Sequence, residues 1–348
     1  MGQGNTMTRR IFVTGATGYI AKHLLVKLLN AGFEVVGSVR NLNRAPEIIA
    51  AVTPHLADAT ALDQRLRFVP LDLASDEGWH AALQGCDALM HTASPFPLEM
   101  PSDENAVIRP AVDGALRAVR AARDAGIARV IMTSSTVAIM YRDLAPGQTK
   151  FTEDDWTDLD HPAVTPYVKS KTLAERAVWD FQRDEAPEMG ITMINPAFVQ
   201  GAPLDQNYGT SIAVIERLLR GKDPMLPQIA FPIVDVRDVA EMHLRALSRD
   251  ETIGHRLIAS DRTLWFRDMA VVLQDAFPDR KITTRNAPNF LIRLLARFDK
   301  SLASIAPVLG MHLAVSNTRA RQMLDMKFID SNEAVTDAAA FLIDNKIV

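Results

Sequence analysis

The chain has 348 residues, 48% of them hydrophobic, and a formal net charge of −4. That composition supports a sizeable core and excludes global disorder, and the length suits one large domain or two coupled ones. The mildly acidic balance argues against nucleic acid or an anionic membrane surface as a partner.

Cys86 is the single cysteine, so no intramolecular disulfide forms, and a small core residue is the expected role. The opening "MGQGNTMTRR" lacks the apolar stretch of a secretion signal and reads as a flexible leader over residues 1–10. No run of about 18 uncharged apolar residues occurs, so no membrane span and a cytoplasmic protein are expected.

In chain order, "RRIFVTG" reads as a strand ending at Gly15, and "YIAKHLLVKLLNAG" as a helix stopped by Gly32. "EVVGSVR" is a second strand, "APEIIAAV" is helical, and "RLRFVPLDL" is a third strand. "CDALMHTA" is a fourth, followed by the long helical "DENAVIRPAVDGALRAVRAARDAG". "RVIMTSS" is a fifth strand, and "ITMINPAFVQG" a sixth, beyond a helix in "TPYVKSKTLAERAVWDF". Strands and helices alternating at these lengths make βαβ units, a parallel sheet and helices on both faces. After Gly201 proline and glycine become frequent, and "IVDVRDVAEMHLRALSRD" reads as a strand running into a helix. The expected fold class is α/β, a Rossmann-type doubly wound parallel sheet with a smaller C-terminal substrate-binding region. Its expected bounds are 11–200 for the nucleotide-binding domain and 201–348 for the rest, with residues around 231–260 returning to the larger part. Arg117, Arg120 and Arg123 are expected to form a solvated helix face or a subunit contact.

"VTGATGYIA" sits between the first strand and the first helix. Gly15 and Gly18 permit a tight turn and close backbone approach to a pyrophosphate, which the helix N-terminus then faces. Thr17, Tyr19 and Ile20 complete this turn, and Ala21 supplies the small residue for close helix–sheet packing. At the end of the second strand Arg40 stands where an acidic residue would hold a ribose 2′-hydroxyl, with Arg44 four residues on. A guanidinium suits a 2′-phosphate, so NADP(H) is expected over NAD(H). Asp72 and Leu73 end the third strand beside the adenine position. Thr92, Ala93 and Ser94 in "HTASPF" line the cofactor, while His91 reads as a packed structural histidine.

The fifth strand brings Ser134 and Ser135 to the carboxyl edge of the sheet, where open α/β sheets bind ligands. Tyr167 and Lys171, four apart on one helix, share a face. Hydride delivery to a carbonyl builds charge on oxygen and requires a proton. A phenol can supply it, and a neighbouring ammonium is expected to lower the phenol pKa from about 10.

These stretches, with "RPAVDGALRAV", "YVKSKTLAE", "NPAFVQGAP" and "VDVRDVAEMH", resemble the extended short-chain dehydrogenase/reductases. The resemblance is to the branch of dihydroflavonol reductases, cinnamoyl-CoA reductases and microbial aldehyde (methylglyoxal-type) carbonyl reductases, and it covers nearly the whole chain. It implies Ser135 as the catalytic serine, Tyr167 as proton donor and Lys171 as the ribose-holding residue that tunes the tyrosine. Pro196 and Val199 would flank the nicotinamide, and Phe96, Thr136 and Phe198 would line the substrate pocket. Two departures from the branch are Ala21, where many relatives carry Gly, and "RQMLDMKF", which replaces a Leu-Gly-Trp-like segment.

The function so implied is NADPH-dependent, reversible reduction of an aldehyde or ketone by a monomer or homodimer acting on a small molecule. A nucleotide-sugar epimerase on the same fold is one alternative, although an epimerase usually keeps an acidic residue where Arg40 stands. A non-catalytic NADP(H)-binding sensor is another, although such proteins commonly lose the Tyr-Lys pair.

Overall fold

The computed structural model describes residues 9–94, 103–298, 302 and 305–348. Backbone contacts divide the chain into two units. The first comprises residues up to Ser134, Ser170–Ile194 and Ala240–Arg256; the second comprises Ser135–Lys169, Asn195–Val239 and Leu257–Val348.

The chain begins with β1 (Arg10–Thr14), α1 (Tyr19–Asn30), β2 (Glu34–Val39), α2 (Ala45–Val52), α3 (Leu62–Arg65) and β3 (Leu66–Pro70). It continues through α4 (Trp79–Leu83), β4 (Ala88–His91), α5 (Asn105–Asp124), β5 (Arg129–Thr133) and α6 (Pro166–Asp184). Then come β6 (Gly190–Pro196), β7 (Phe198–Gln200), α7 (Thr210–Arg220), β8 (Ala230–Asp235), α8 (Val236–Leu247) and β9 (Arg256–Ala259). The last elements are β10 (Arg262–Trp265), α9 (Phe266–Ala276), α10 (Asn289–Leu295) and the helices Thr318–Leu324 and Ser331–Asp344.

A seven-stranded parallel sheet runs in the order β3-β2-β1-β4-β5-β6-β9. β1 pairs with β2 on one side and β4 on the other, so the strand order reverses between β1 and β4. Such a switch point opens a crevice at the carboxyl ends of the strands. The inner strands read as unbroken apolar runs because both faces are covered: Ile11, Phe12, Val13 and Thr14 of β1 have no exposure. The first unit packs its core from Phe12, Trp79, Leu83, Leu89, Val130, Phe181 and Met193. Helix α5 turns a stripe of small residues inward; a Cβ on its Gly114 would stand 3.3 Å from Leu73 Cβ. Cys86 is half-buried against this core, and burial pushes its thiol pKa up, which suits a packing role.

One element differs from expectation. The stretch "ITMINPAFVQG" forms two strands, not one. β6 belongs to the large sheet, whereas β7 joins a three-stranded sheet ordered β10-β8-β7. Pro196 has no N–H to continue the ladder toward β5, whose register ends at Ile194, although the Ala197 N–H still donates to the Ala259 carbonyl at 2.9 Å. In the second unit Phe198 of β7 lies opposite Ile233 of β8. That unit has its own core, including Ile139, Met140, Tyr141, Phe151, Ile258 and Leu313. No helix among the described residues is long and apolar enough to cross a membrane.

Candidate active site

The first unit carries a groove of about 670 Å³ at the switch point of its sheet. Gly15 follows β1 with φ +67, a conformation that favours glycine, and a Cβ there would stand 2.8 Å from Ala93 Cβ. The backbones leaving β1 and β4 are therefore as close as glycine permits. The Gly18 N–H donates to the Gly15 carbonyl at 2.9 Å, and the Lys22 N–H to the Gly18 carbonyl at 3.0 Å, which starts α1. The first turn of α1 holds no acidic side chain to compete with an anion at its positive end. Gly15, Thr17, Gly18, Arg40, Asp72, Leu73, Thr92, Ala93 and Ser94 all line the groove. Its size, glycine floor and basic rim fit a dinucleotide.

The two arginines expected at a 2′-phosphate separate. Arg40 lines the groove and is exposed, with no hydrogen bond or ion pair to any described residue. Arg44 ends a short 3₁₀ turn, pairs with Glu47 of α2, and is not part of the lining. Tyr19 and Ile20 are also outside the lining; Tyr19 packs edge-on against His23 at 5.7 Å. Sequence reasoning missed Ser38, Arg109, Asp113 and Arg117 in this wall. Arg117, expected on a solvated helix face or at a subunit contact, binds Asp76 and the Leu73 carbonyl within the chain. The spacing 109, 113, 117 puts these three on one face of α5, which was the available signal. Arg120 and Arg123 pair with Glu185 at 3.1 and 3.2 Å.

His91 behaves as a structural residue. Thr14 Oγ1 accepts from the N–H groups of Thr92 (3.0 Å) and Ala93 (3.1 Å), and lies 2.9 Å from His91 Nδ1. With both lone pairs taken, the hydroxyl must donate, so Nδ1 is the acceptor and the ring is neutral. Burial, then the nearby Lys171 charge, lowers the His91 pKa to about 3.

The adjacent serines take different partners. Ser134 Oγ donates to Glu175 and is buried. Ser135, in the second unit, accepts the Val137 N–H at 3.3 Å and hydrogen-bonds the Tyr167 phenol. Burial raises the Tyr167 pKa and the Ser135 bond pulls it part of the way back, so the net direction is upward. That is opposite to the expected lowering, because desolvation of a phenolate outweighs the one stabilising bond. Tyr141 was not singled out from the sequence. Burial, with a smaller push from Tyr167, raises its pKa to about 12, which places a second phenol near the first. Lys171 lies one turn beyond Tyr167 on α6, and burial lowers its pKa to about 8.

Thr136 is buried just after Ser135, beginning a 3₁₀ turn. Pro196 is buried at the end of β6, and Val199 is half-buried on β7. Phe198 stacks on Phe231 with centroids 5.7 Å apart, and Phe231 contacts Phe266 at 5.9 Å. The second unit thus supplies an aromatic cluster. Phe96 lies outside the described residues.

Residues 11–258 match the NAD dependent epimerase/dehydratase family. The putative NADPH-dependent methylglyoxal reductase of Candida albicans is 30% identical over 352 residues, covering 96% of this chain and 98% of that one. Cinnamoyl-CoA reductase 2 of Arabidopsis thaliana is 32% identical over 277 residues, covering 79% and 80% respectively. Among solved structures, yeast methylglyoxal/isovaleraldehyde reductase Gre2 complexed with NADPH superposes with a TM-score of 0.79. It is 25% identical and covers 97% of this chain and 100% of that one. By the extent of these matches the chain belongs to the NAD dependent epimerase/dehydratase family, among its short-chain reductase members.

Proposed function

We propose that this protein reduces an aldehyde or ketone to the alcohol at the expense of NADPH. The observation that carries the reading is Arg40. It is an exposed guanidinium in the dinucleotide groove, where a ribose 2′-phosphate would meet it. Relatives named as NADPH-dependent reductases and an NADPH-bound structural neighbour support the same cofactor.

NADPH, when bound, supplies the hydride. The rest falls to the chain. Ser135 orients the substrate oxygen, and the Tyr167 phenol gives its proton to that oxygen as charge develops there. A raised pKa keeps the phenol protonated at neutral pH, which suits an acid. Lys171 holds the ribose and presents its charge to the tyrosine on the shared helix face. Gly15, Thr17, Gly18, Asp72, Leu73 and Thr92 to Ser94 would hold the cofactor, and Pro196 and Val199 would flank its nicotinamide. The aromatic side chain of Phe198 and the buried Thr136 favour a hydrophobic carbonyl substrate. The second unit is the substrate-binding part, and the enzyme works in the cytoplasm as a monomer or homodimer.

The test is an NADPH-consumption screen over small aldehydes, aryl ketones, dihydroflavonols, acyl-CoA thioesters and UDP-sugars. Turnover of a hydrophobic aldehyde or ketone is expected. Activity on a UDP-sugar alone would overturn the reading.

A further inference from the structure

Within the first unit lies a buried polar cluster that the chemistry above does not use. Glu175 follows Lys171 by one turn of α6, so the two share a face. Its side chain has no exposure. Arg256, at the start of β9 and nearly as buried, donates Nε–H to Glu175 Oε1 at 2.5 Å. Ser134 donates its hydroxyl to Oε2 of the same carboxylate. The Trp179 indole N–H reaches Oε1 at 3.4 Å. Both oxygens are therefore clamped, by groups on the chain after β5, on β9 and on α6 itself.

This clamp borders a cavity of about 20 Å³, lined by Glu175, Ser134, Thr133, Lys171, His91 and Ala93 among others. That is room for about one water molecule. Lys171, His91 and Glu175 are the titratable groups facing it, and His91 is held neutral by Thr14. Glu175 is the anionic side chain of that lining. A buried ion pair is weak evidence for stability, because desolvation consumes most of the attraction. Its place in the lining of a cavity that Lys171 also lines points to another role.

We propose that Glu175, fixed by Arg256 and Ser134, is a positioning residue for Lys171: across this cavity it holds the ammonium in place for the cofactor ribose and the tyrosine. The proposal rests on the reading that Lys171 binds the ribose of NADPH.

The test compares four forms of the full chain: wild type, Glu175→Gln/Arg256→Gln, Lys171→Met and the triple variant. Changing both clamp residues avoids leaving a buried Arg256 charge unpaired, and the amides keep hydrogen-bonding capacity. NADPH affinity is read by fluorescence titration, thermal midpoint by calorimetry, and kcat and KM on the best carbonyl substrate. We expect the clamp variant to bind NADPH at least three-fold more weakly and to lose ten-fold or more in kcat, with carbonyl KM within two-fold. Its effects should not add to those of Lys171→Met: the triple variant should bind NADPH as Lys171→Met does. A clamp variant with unchanged NADPH affinity, or losses that multiply independently of Lys171→Met, overturns the proposal. So does a fall in thermal midpoint with kcat and KM changing in proportion. If the wild type reduces no carbonyl compound, the proposed function fails, whereas the coupling in NADPH affinity still decides the role of Glu175.

Discussion

Arg40→Gln separates a phosphate-recognising residue from a merely basic surface. Arg40 lines the groove and has no acidic partner among the described residues, so its removal strands no carboxylate and leaves the fold intact. Hydrogen bonds to a charged group contribute about 1.5–3 kcal/mol, and exposure with salt screening places this one in the lower part of that range. At about 1.4 kcal/mol per decade, NADPH affinity should fall roughly 10- to 30-fold. NADH has no 2′-phosphate, so its affinity should change less than about two-fold. Arg44→Gln is the internal comparison. Arg44 is already paired with Glu47 and stands outside the groove lining, so NADPH affinity should change less than about three-fold. Fluorescence titration with both nucleotides at two salt concentrations measures all of this. Equal losses for NADPH and NADH, or an Arg44 effect as large as that of Arg40, would refute the assignment.

Gly15→Ala should lower both the thermal midpoint and NADPH affinity. A left-handed non-glycine residue costs about 1–2 kcal/mol and the clash with Ala93 a further ~1–3 kcal/mol. Adding Ala93→Gly should recover only some of the second part, because the Ala93 Cα would still stand 3.1 Å away, as seen in denaturant midpoints. Tyr167→Phe should keep NADPH affinity while turnover falls about 10²–10⁴-fold, and near-normal turnover would remove the phenol from the chemistry. His91→Gln should flatten acid destabilisation. His91 is neutral when folded down to about pH 3, but titrates near 6.5 when unfolded. The unfolded chain therefore takes the proton first, and stability falls as pH drops from 6.5 towards 3. Between pH 7 and 4.5 wild type should lose roughly 2–3 kcal/mol more than the variant in urea titrations. Oxidation of the product alcohol needs the phenolate, so its rate should climb with pH, whereas reduction should decline above about pH 8 as Lys171 loses its proton.

What was legible in the sequence follows from what period and punctuation encode. β1, β2, β4 and β5 are buried on both faces, and so appear as short, largely apolar runs. Gly15 marks a backbone that no other residue adopts without strain. The break at Pro196 was harder to see, because apolar residues continue on either side of it and the change of pairing partner, from the large sheet to β8, leaves no mark in composition. Arg44 falls outside the groove lining for a local reason that residue spacing does not encode. Leu42–Arg44 forms a 3₁₀ turn that carries the side chain to Glu47. The partners of Arg117 were not legible, because Asp76 and the Leu73 carbonyl are more than 40 residues away in sequence.

Ser134 and Ser135 show where pattern ends and environment begins. The two are chemically identical and adjacent, so no spacing rule assigns them; along an extended chain they simply point to opposite sides. One ends on the buried Glu175 carboxylate, the other on the Tyr167 phenol. The same limit applies to the phenol itself. A Tyr and a Lys four apart imply an ammonium that lowers the tyrosine pKa, yet spacing carries no information about burial. Burial raises the phenol and weakens the ammonium at once. The two shifts have a common cause and opposite charge signs, and each favours the neutral form. Tyr167 is thereby held as an acid, while Lys171 gives up its proton more readily than an exposed lysine would.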